Sequence, residues 1–301
     1  FLKRLIQEIH RHRLWSPGER VLLAVSGGMD SITLMHALVR TQGAHKGILD
    51  VMSIDHGLRT ESKEEVLFVQ QQAYDLGIPF SSVQLNMTSG GNLQERARHA
   101  RREALLATGS TRIATGHHAN DQAETVLYRL LRGSGLDGLR GMQPLSIPWC
   151  RPFLSFKRET LFAWAQQEKL RWIDDPSNPG SLRGRMRPLF TQLDGFHGDS
   201  VMALARSAEL LGQDAIFLEE YTLSCWNDCF DGTGLLHTVF EVYPFAIQFR
   251  LLRKLCQTQG VPVRARLLQQ VLRTGSHADF PGGQRLYYGS LIRFLEKESR
   301  L

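Results

Sequence analysis

One turn of this 301-residue chain, residues 26–31, combines two adjacent glycines with two serine hydroxyls and a carboxylate. An apolar run precedes the turn and helical spacing follows it, so the pattern predicts a strand, a turn and a helix. Gly27 and Gly28 leave backbone N–H groups unshielded at the start of that helix, where an anion can bind. Asp30 would repel a phosphate unless a divalent cation lay between them, which favours a metal-bound nucleotide. A tight strand-to-helix connection without a ligand would use the same two glycines.

Polar side chains also stand at the ends of two other predicted strands. Asp55 and His56 follow one run rich in β-branched residues, and His117 and His118 follow another. The carboxyl ends of parallel strands meet at one edge of a sheet, where ligands bind. We therefore expect the glycine turn and these four residues to line a single crevice. His56 and His117 are candidates for proton transfer, although a histidine at a strand end is also a common structural hydrogen-bond partner.

The elements that must position these residues follow from the periodicity of the sequence. Strand and helix patterns alternate over residues 1–188 and predict an α/β fold with an open, mainly parallel, doubly wound sheet. The segment 189–200 contains Gly and Asp residues and predicts a linker. Residues 201–301 have mostly helical spacing and end in a predicted small hairpin that turns at 281–283. The prediction is a nucleotide-binding domain followed by a smaller, mostly helical domain.

The overall composition is that of an ordinary globular protein with about two domains, because 42% of the residues are hydrophobic and the mean hydropathy is −0.23. No apolar run approaches the ~20 residues of a membrane span, and the N-terminal segment has no signal-peptide core. These features predict a cytoplasmic protein with no membrane partner. The four cysteines include no Cys-x-x-Cys pair, and we interpret them as buried or incidental thiols. The oligomeric state stays open at this point, with a homodimer among the alternatives.

The charge pattern favours a polyanionic partner. The formal net charge is +6 and the sequence pI is about 9.3. Much of the arginine falls between residues 96 and 187. A guanidinium pairs with two phosphate oxygens at once and stacks on bases, so a concentrated set favours RNA. Solvated helix faces are the alternative interpretation of the same arginines.

The glycine turn also resembles a known loop, the pyrophosphate loop of the N-type ATP pyrophosphatases. The six residues that carry the resemblance are Ser26, Gly27, Gly28, Met29, Asp30 and Ser31. The resemblance implies an enzyme that cleaves ATP between the α and β phosphates and holds the leaving pyrophosphate with this loop. It implies ATP as co-substrate and Mg²⁺ as metal, with Asp30 as the candidate ligand. The chain has no Gly-x-x-x-x-Gly-Lys-Ser/Thr stretch, so the loop is not a Walker loop.

Three further stretches, 55–59, 114–125 and 131–142, resemble the tRNA(Ile)-lysidine synthetases, and the similarity extends over most of residues 20–187. The resemblance implies an ATP-dependent ligase that joins free L-lysine to the wobble cytidine of an isoleucine tRNA. The cytidine would first be adenylated, and lysine would then displace AMP. For residues 201–301 the resemblance implies tRNA binding.

The resemblance also implies roles for individual residues. The implied catalytic residues are Asp30, Asp55, His56 and Asp121. The implied lysine-binding pair is Asp121 and Glu124, which share one side of a helix because they are three residues apart. Arg98 and Arg101 are implied as ATP contacts, with tRNA phosphates as the alternative ligand, and Arg183, Arg185 and Arg187 are implied as tRNA contacts. Acidic residues in a first helical turn often only complement the helix dipole, which is the alternative interpretation of Asp121 and Glu124.

Two other functions remain to be weighed against the lysine ligase. A tRNA cytidine thiolase would share the adenylation step, but sulfur transfer usually needs a cysteine pair that this sequence does not present. A non-catalytic RNA-binding module could retain the glycine turn as a feature of the fold alone.

Overall fold

The computed structural model describes residues 1–55, 61–85, 93–173 and 182–296. In chain order, the elements within these residues are α1 (Leu2–Arg11), β1 (Arg20–Ala24), α2 (Met29–His45), β2 (Ile48–Asp55), α3 (Glu61–Asp75), β3 (Phe80–Gln84), α4 (Leu93–Leu106), β4 (Ile113–Ala114), α5 (Ala119–Leu131), α6 (Leu136–Leu139), β5 (Leu145–Ser146), β6 (Trp149–Cys150), α7 (Arg158–Gln167), α8 (Leu182–His197), α9 (Ser200–Cys229), β7 (Leu235–Leu236), α10 (His237–Phe240), α11 (Phe245–Thr258), α12 (Ala265–Thr274), β8 (Ala278–Phe280), β9 (Gln284–Tyr287) and β10 (Leu291–Glu296). The chain divides into two compact units, Phe1–Gly212 and Gln213–Leu301. Across the described ranges, no helix is both long and apolar enough to cross a membrane.

The first unit is built on an open sheet with strand order β3-β2-β1-β4-β6-β5. β1, β2, β3, β4 and β6 run parallel, and β5 joins the edge antiparallel to β6. The order reverses direction at β1, because β2 and β3 lie on one side of it and β4 and β6 on the other. Ligands of such sheets bind beyond the carboxyl ends of the strands at this point of reversal. The predicted α/β fold with a mainly parallel sheet is confirmed.

Both faces of the sheet are covered, which explains the continuous apolar run of β1. Val21 and Leu23 pack into the larger core with residues of α1, α2, α3 and α7. Leu22, between them, points to the other face and packs with Leu105 of α4. Side chains alternate along a strand, so a strand buried on both faces has no polar positions in its centre.

The segment predicted as a linker, 189–200, forms the second half of α8 and the start of α9. Pro188 lies inside α8, where it removes one backbone hydrogen bond. The helix continues because its apolar face is buried: Phe190 packs with Ala119 and Ala123 of α5. The boundary between the compact units falls instead inside α9, after Gly212. The loss of one hydrogen bond is thus outweighed by apolar burial, which the local composition does not reveal.

The second unit consists mostly of helices with a small antiparallel sheet, as predicted. Leu251 and Leu255 of α11 pack with Leu268 of α12 and with Phe240 in one core. The predicted hairpin exists as β8 and β9, but β10 and β7 extend it to a sheet of order β7-β10-β9-β8 within the described residues.

Candidate active site

The glycine turn connects β1 to α2, with Gly28 as the residue that caps the helix. Gly27 has a φ of 86°, a backbone conformation that other residues adopt only at a cost. Ser31 closes the turn, because its Oγ accepts a hydrogen bond from Ser26 N at 3.1 Å and donates one to Gly28 O at 2.9 Å. The loop is therefore held in shape by its own hydroxyl, while Ser26 stays exposed at the mouth of the turn.

The loop after β4 approaches the first turn of α2 very closely at Gly116. A Cβ atom at this position would lie 3.0 Å from both the backbone C and the O of Asp30. Only glycine allows this approach without displacement, because real Cβ atoms rarely come so near to backbone atoms. The contact joins the segments that follow β1 and β4, the strands at the point where the strand order reverses.

His118 lies between two carboxylates at this contact. It caps α5: its Nδ1 accepts a hydrogen bond from Asp121 N at 3.4 Å, and its backbone N donates to Asp121 Oδ2 at 3.0 Å. On the other side of the ring, Nε2 lies 3.7 Å from Asp30 Oδ2. We call Asp30, His118 and Asp121 the histidine bridge. The bridge connects the glycine turn to the start of α5, where the predicted lysine-binding pair lies.

The protonation of His118 depends on opposing effects. Burial is the largest and lowers the pKa, but the contact with Asp30 and the charge of Asp121 together raise it above the usual histidine value. The charge of Arg158 acts in the same direction as burial. The two carboxylates therefore make protonation of His118 more favourable than burial alone would allow.

Asp30 has one carboxylate oxygen that a cation could use. Oδ1 is buried and accepts no hydrogen bond from any residue that the structure describes. Its nearest charge is Arg158, whose Nε lies 3.6 Å away, too far for a hydrogen bond. The backbone of Arg158 is fixed, because its N donates to Asn120 Oδ1 at 2.9 Å. The N-terminal turns of α2, α5 and α7 thus converge on Asp30, which makes the surroundings favourable for anions.

Asp30 Oδ1 is the atom in this site that could serve as a ligand of Mg²⁺. Among the described residues, no group of three or more His, Cys, Asp or Glu side chains could hold a metal ion. Mg²⁺ does not require one, since it is usually held by one or two carboxylates together with substrate phosphates and waters. Asp30, with a buried oxygen beside the glycine turn, suits that arrangement.

The other predicted residues are distributed along the same edge. Asp55 is the last residue of β2 and is buried, and His56 lies outside the described residues. Glu124 is buried on α5, one turn after Asp121. The His117 ring makes a 2.8 Å hydrogen bond from Nδ1 to the hydroxyl of Thr115, which fixes its orientation. The structure therefore brings Asp30 and Asp121 together through His118, a residue that the sequence analysis placed at this edge without giving it a catalytic or binding role.

The predicted arginines fall on two helices. Arg98 and Arg101 are exposed on α4, one turn apart. Arg183, Arg185 and Arg187 lie in the first half of α8. Arg158 was not predicted to have a role, and only its spatial position beside Asp30 distinguishes it.

The profile of the PP-loop domain family matches residues 2–190, more than half of the chain. The match includes β1, the glycine turn and the whole parallel sheet. The chain therefore belongs to the PP-loop family, and the resemblance of residues 26–31 to the pyrophosphate loop is confirmed.

Three similar proteins carry the same name, and they define a more specific family within the PP-loop family. The tRNA(Ile)-lysidine synthase of Symbiobacterium thermophilum is 35% identical, with 95% of this chain and 67% of that protein aligned. The synthase of Xanthomonas campestris is 40% identical over 68% of this chain and 50% of its own length. The synthase of Chlorobaculum tepidum is 30% identical over 89% of this chain and 87% of its own length. The chain is therefore a member of the tRNA(Ile)-lysidine synthase family. It spans about two thirds of the length of the first of these relatives and about half the length of the second.

A solved structure supports the fold at greater distance. The U34-tRNA thiolase NcsA from Methanococcus maripaludis aligns with a TM-score of 0.59 at 17% identity, over 70% of this chain and 78% of that one. At that identity the likeness shows a shared fold.

Proposed function

We propose that the chain ligates L-lysine to the wobble cytidine of isoleucine tRNA, with ATP converted to AMP and pyrophosphate. The observation that carries this proposal is the histidine bridge. It joins the loop suited to pyrophosphate, at Asp30, to a carboxylate pair suited to an ammonium group, the half-buried Asp121 and the buried Glu124. The family membership of the chain supports the same reaction. Its substrates are found in the cytoplasm, where we expect the chain to act.

The first step is adenylation of the cytidine. The C2 oxygen of the base attacks the α-phosphorus, and the bond from that phosphorus to the oxygen bridging to the β-phosphate breaks. Pyrophosphate leaves into the turn formed by Ser26, Gly27 and Gly28, whose N–H groups bind its charge. Asp30 would hold Mg²⁺, which neutralises phosphate charge when bound. Met29 and Ser31 keep the turn in shape, and Arg98 and Arg101 supply further cations for the phosphates.

In the second step the lysine ε-amine attacks C2, the C2–O bond breaks, and AMP leaves with that oxygen. The amine must first lose a proton, and with a reference pKa near 10.4 this costs about 4 to 5 kcal/mol at neutral pH. Asp121 and Glu124 bind the ammonium and orient it, and Asp55 or His117 at the same edge, or His56, which follows Asp55 in the sequence, can accept the proton. Arg183, Arg185 and Arg187 contact the tRNA in this proposal, together with the second unit.

The cysteines argue against the thiolase as an alternative. All four are buried, and burial raises the pKa of Cys150 to about 12 and of Cys229 to about 11. A thiol held protonated in a core is neither a good nucleophile nor a good ligand for a metal cluster. The structure thus provides no reactive cysteine for sulfur transfer, while the carboxylate pair has no use in that chemistry.

The proposal is tested by measuring AMP and pyrophosphate release with and without lysine and tRNA. Release should require the isoleucine tRNA, and lysine should appear on the anticodon cytidine in mass analysis of the digested nucleosides. AMP formation that is unchanged when tRNA and lysine are both omitted would contradict the proposal.

A further inference from the structure

Five arginines from four parts of the first unit are linked by charge effects, because Arg98 and Arg140 act on Arg129 while Arg98 and Arg102 act on Arg151. Two come from α4, one from α5, one follows α6 and one follows β6. We call them the arginine cluster: Arg98, Arg102, Arg129, Arg140 and Arg151. Such a concentration of one charge produces a strongly positive surface, which attracts anions.

Two members hold the backbone beside them. Arg129 Nη1 donates to Gly138 O at 2.7 Å and to Gly141 O at 3.3 Å. Arg151 Nη1 donates to Gln143 O at 2.7 Å. A backbone carbonyl accepts these bonds but carries no formal charge that could neutralise the guanidinium. The segment between α6 and β5 is therefore a fixed part of the positive surface.

Gln122 fixes the same segment from α5. Its amide donates to Met142 O at 2.9 Å and accepts from Met142 N at 2.8 Å. Gly141 makes this possible, because a Cβ there would lie 2.6 Å from the Gln122 amide. The segment is thus preorganised for a partner, which lowers the entropy lost on binding.

The buried guanidiniums of the cluster are held at an electrostatic cost. Burial lowers the pKa of Arg151 to about 10, and the charges of Arg102 and Arg98 add to that effect. Burial and the charges of Arg140 and Arg98 likewise lower the pKa of Arg129. Arg151 Nε is a buried donor without a hydrogen-bond partner among the described residues. A bound anion would reduce the electrostatic cost, because it would compensate part of the positive charge.

Arg102 gives the cluster an exposed contact. Its guanidinium carbon lies 4.9 Å from the centre of the Trp149 ring, whose face stabilises a nearby cation. The side chain remains exposed. A guanidinium stacked in this way keeps a defined orientation while its edge can still pair with phosphate oxygens.

The position of the cluster in the sheet favours RNA over the nucleotide as its ligand. The pyrophosphate loop follows β1, whereas Arg151 follows β6, with β4 between these strands. At the usual spacing this is a separation of about 10 Å across the sheet. The lysine-binding pair lies between them, on the helix that follows β4. We propose that the arginine cluster, apart from Arg98, which the proposed function assigns to the ATP phosphates, binds the sugar-phosphate backbone of the RNA substrate, next to the nucleotide that accepts lysine. This inference rests on the proposed function.

The test uses Arg102→Gln in the full chain and an isoleucine tRNA transcript. Affinity is measured by fluorescence anisotropy over a range of salt concentrations, without turnover. Loss of one phosphate contact should weaken binding about 5-fold near 0.1 M salt and lower the slope of log K against log salt by about 1. Arg102→Lys should retain most of the affinity, and Mg·ATP binding by Arg102→Gln should be unchanged.

The matched control is Arg20→Gln, which removes the same charge at the amino end of β1, where Arg20 pairs with Asp50 at 3.0 Å. Its tRNA affinity and salt slope should stay at the wild-type values. Equal affinity of Arg102→Gln and wild type would overturn the inference, as would an equal loss in both variants. Weakened Mg·ATP binding with normal tRNA binding would assign the cluster to the nucleotide and also overturn it. AMP release without tRNA by the wild type would instead refute the proposed function.

Discussion

The histidine bridge and the arginine cluster lie at the same edge of one sheet but handle charge in opposite ways. In the bridge each charged group faces an opposite charge, because His118 lies between Asp30 and Asp121. In the cluster, Arg129 and Arg151 donate to backbone carbonyls and face other arginines. Internal pairing fixes the geometry of groups that must react, while uncompensated charge favours a ligand from outside. This contrast matches the two proposals, a site for chemistry at the histidine bridge and a surface for RNA binding at the arginine cluster.

The sharpest test of the reacting side is Asp30→Ala. Because Asp30 is the proposed Mg²⁺ ligand and one end of the bridge, its removal should lower AMP formation by about 10³-fold or more. Release of AMP and pyrophosphate from ATP measures the effect. Asp50→Ala is the control, because Asp50 makes only a partly exposed pair with Arg20 and should leave turnover unchanged. Full turnover of Asp30→Ala would exclude Asp30 from the reaction, whereas absence of turnover in the wild type with unchanged tRNA binding by Asp30→Ala would favour the non-catalytic RNA-binding module.

The contact between the two loops can be tested at Gly116. Gly116→Ala places a methyl group 3.0 Å from the Asp30 backbone, so the loops after β1 and β4 must separate. We expect a loss of about 1 to 3 kcal/mol in the free energy of unfolding and a turnover at least about 10-fold lower. Denaturant unfolding and AMP release measure the two effects.

The control for this substitution is Gly43→Ala in the exposed part of α2, where nothing lies within 4 Å of the added methyl. Alanine favours a helix interior, so this variant should be more stable by about 0.5 to 1 kcal/mol. A stability of Gly116→Ala equal to that of the wild type would show that the approach of the loops is not required.

His118→Asn separates the two functions of the bridging histidine. Asparagine is a good helix cap and can still accept from Asp121 N, but it is too short to reach Asp30. Turnover should fall about 10-fold with a stability change below about 1 kcal/mol, whereas His118→Ala should lose the cap as well. Measurement of kcat and of the unfolding free energy for both variants separates the capping of α5 from the contact with Asp30. Equal kcat in His118→Asn and wild type would limit His118 to capping.

The pH dependence of stability gives a smaller effect with a definite sign. The carboxylates raise the pKa of His118 in the folded chain above its unfolded value, near 6.5. The resulting stabilisation is complete below the unfolded pKa and is lost as the pH rises through the folded value. The wild type should therefore lose more unfolding free energy than His118→Asn between about pH 6 and pH 8. Parallel curves for the two proteins would contradict the raised pKa.

The smallest effect is expected for Cys225→Ala combined with Cys229→Ala. Both side chains are buried in the second unit, so some stability will be lost, but tRNA modification should persist at the wild-type rate. Loss of modification with an intact fold would support the thiolase instead. Nucleoside mass analysis distinguishes the two products.

The part of the site that was predictable is the part that depends on local chemistry. The glycine turn and the strands around it follow from short-range patterns, and the structure has them in place. The sequence analysis did not predict that His118, and not His117, connects Asp30 to Asp121. A signal was present, because His118 stands three residues before Asp121, which is the spacing of a capping box. The approach of Arg158 to Asp30 had no signal, because the two residues are far apart in sequence and meet only through packing. The helix over residues 189–197 was missed for the same reason.

One bond of the glycine turn comes from far along the sequence. Ile173 N donates to Gly27 O at 2.9 Å, and a Cβ at Gly27 would lie 3.4 Å from the Ile173 side chain. The turn therefore reaches its final geometry only after the chain has been synthesised beyond α7. During translation, a nascent chain that ends before this point contains every residue of the motif but lacks the bond that completes it. The full set of hydrogen bonds around the turn therefore forms only when residues from both ends of the first unit have come together.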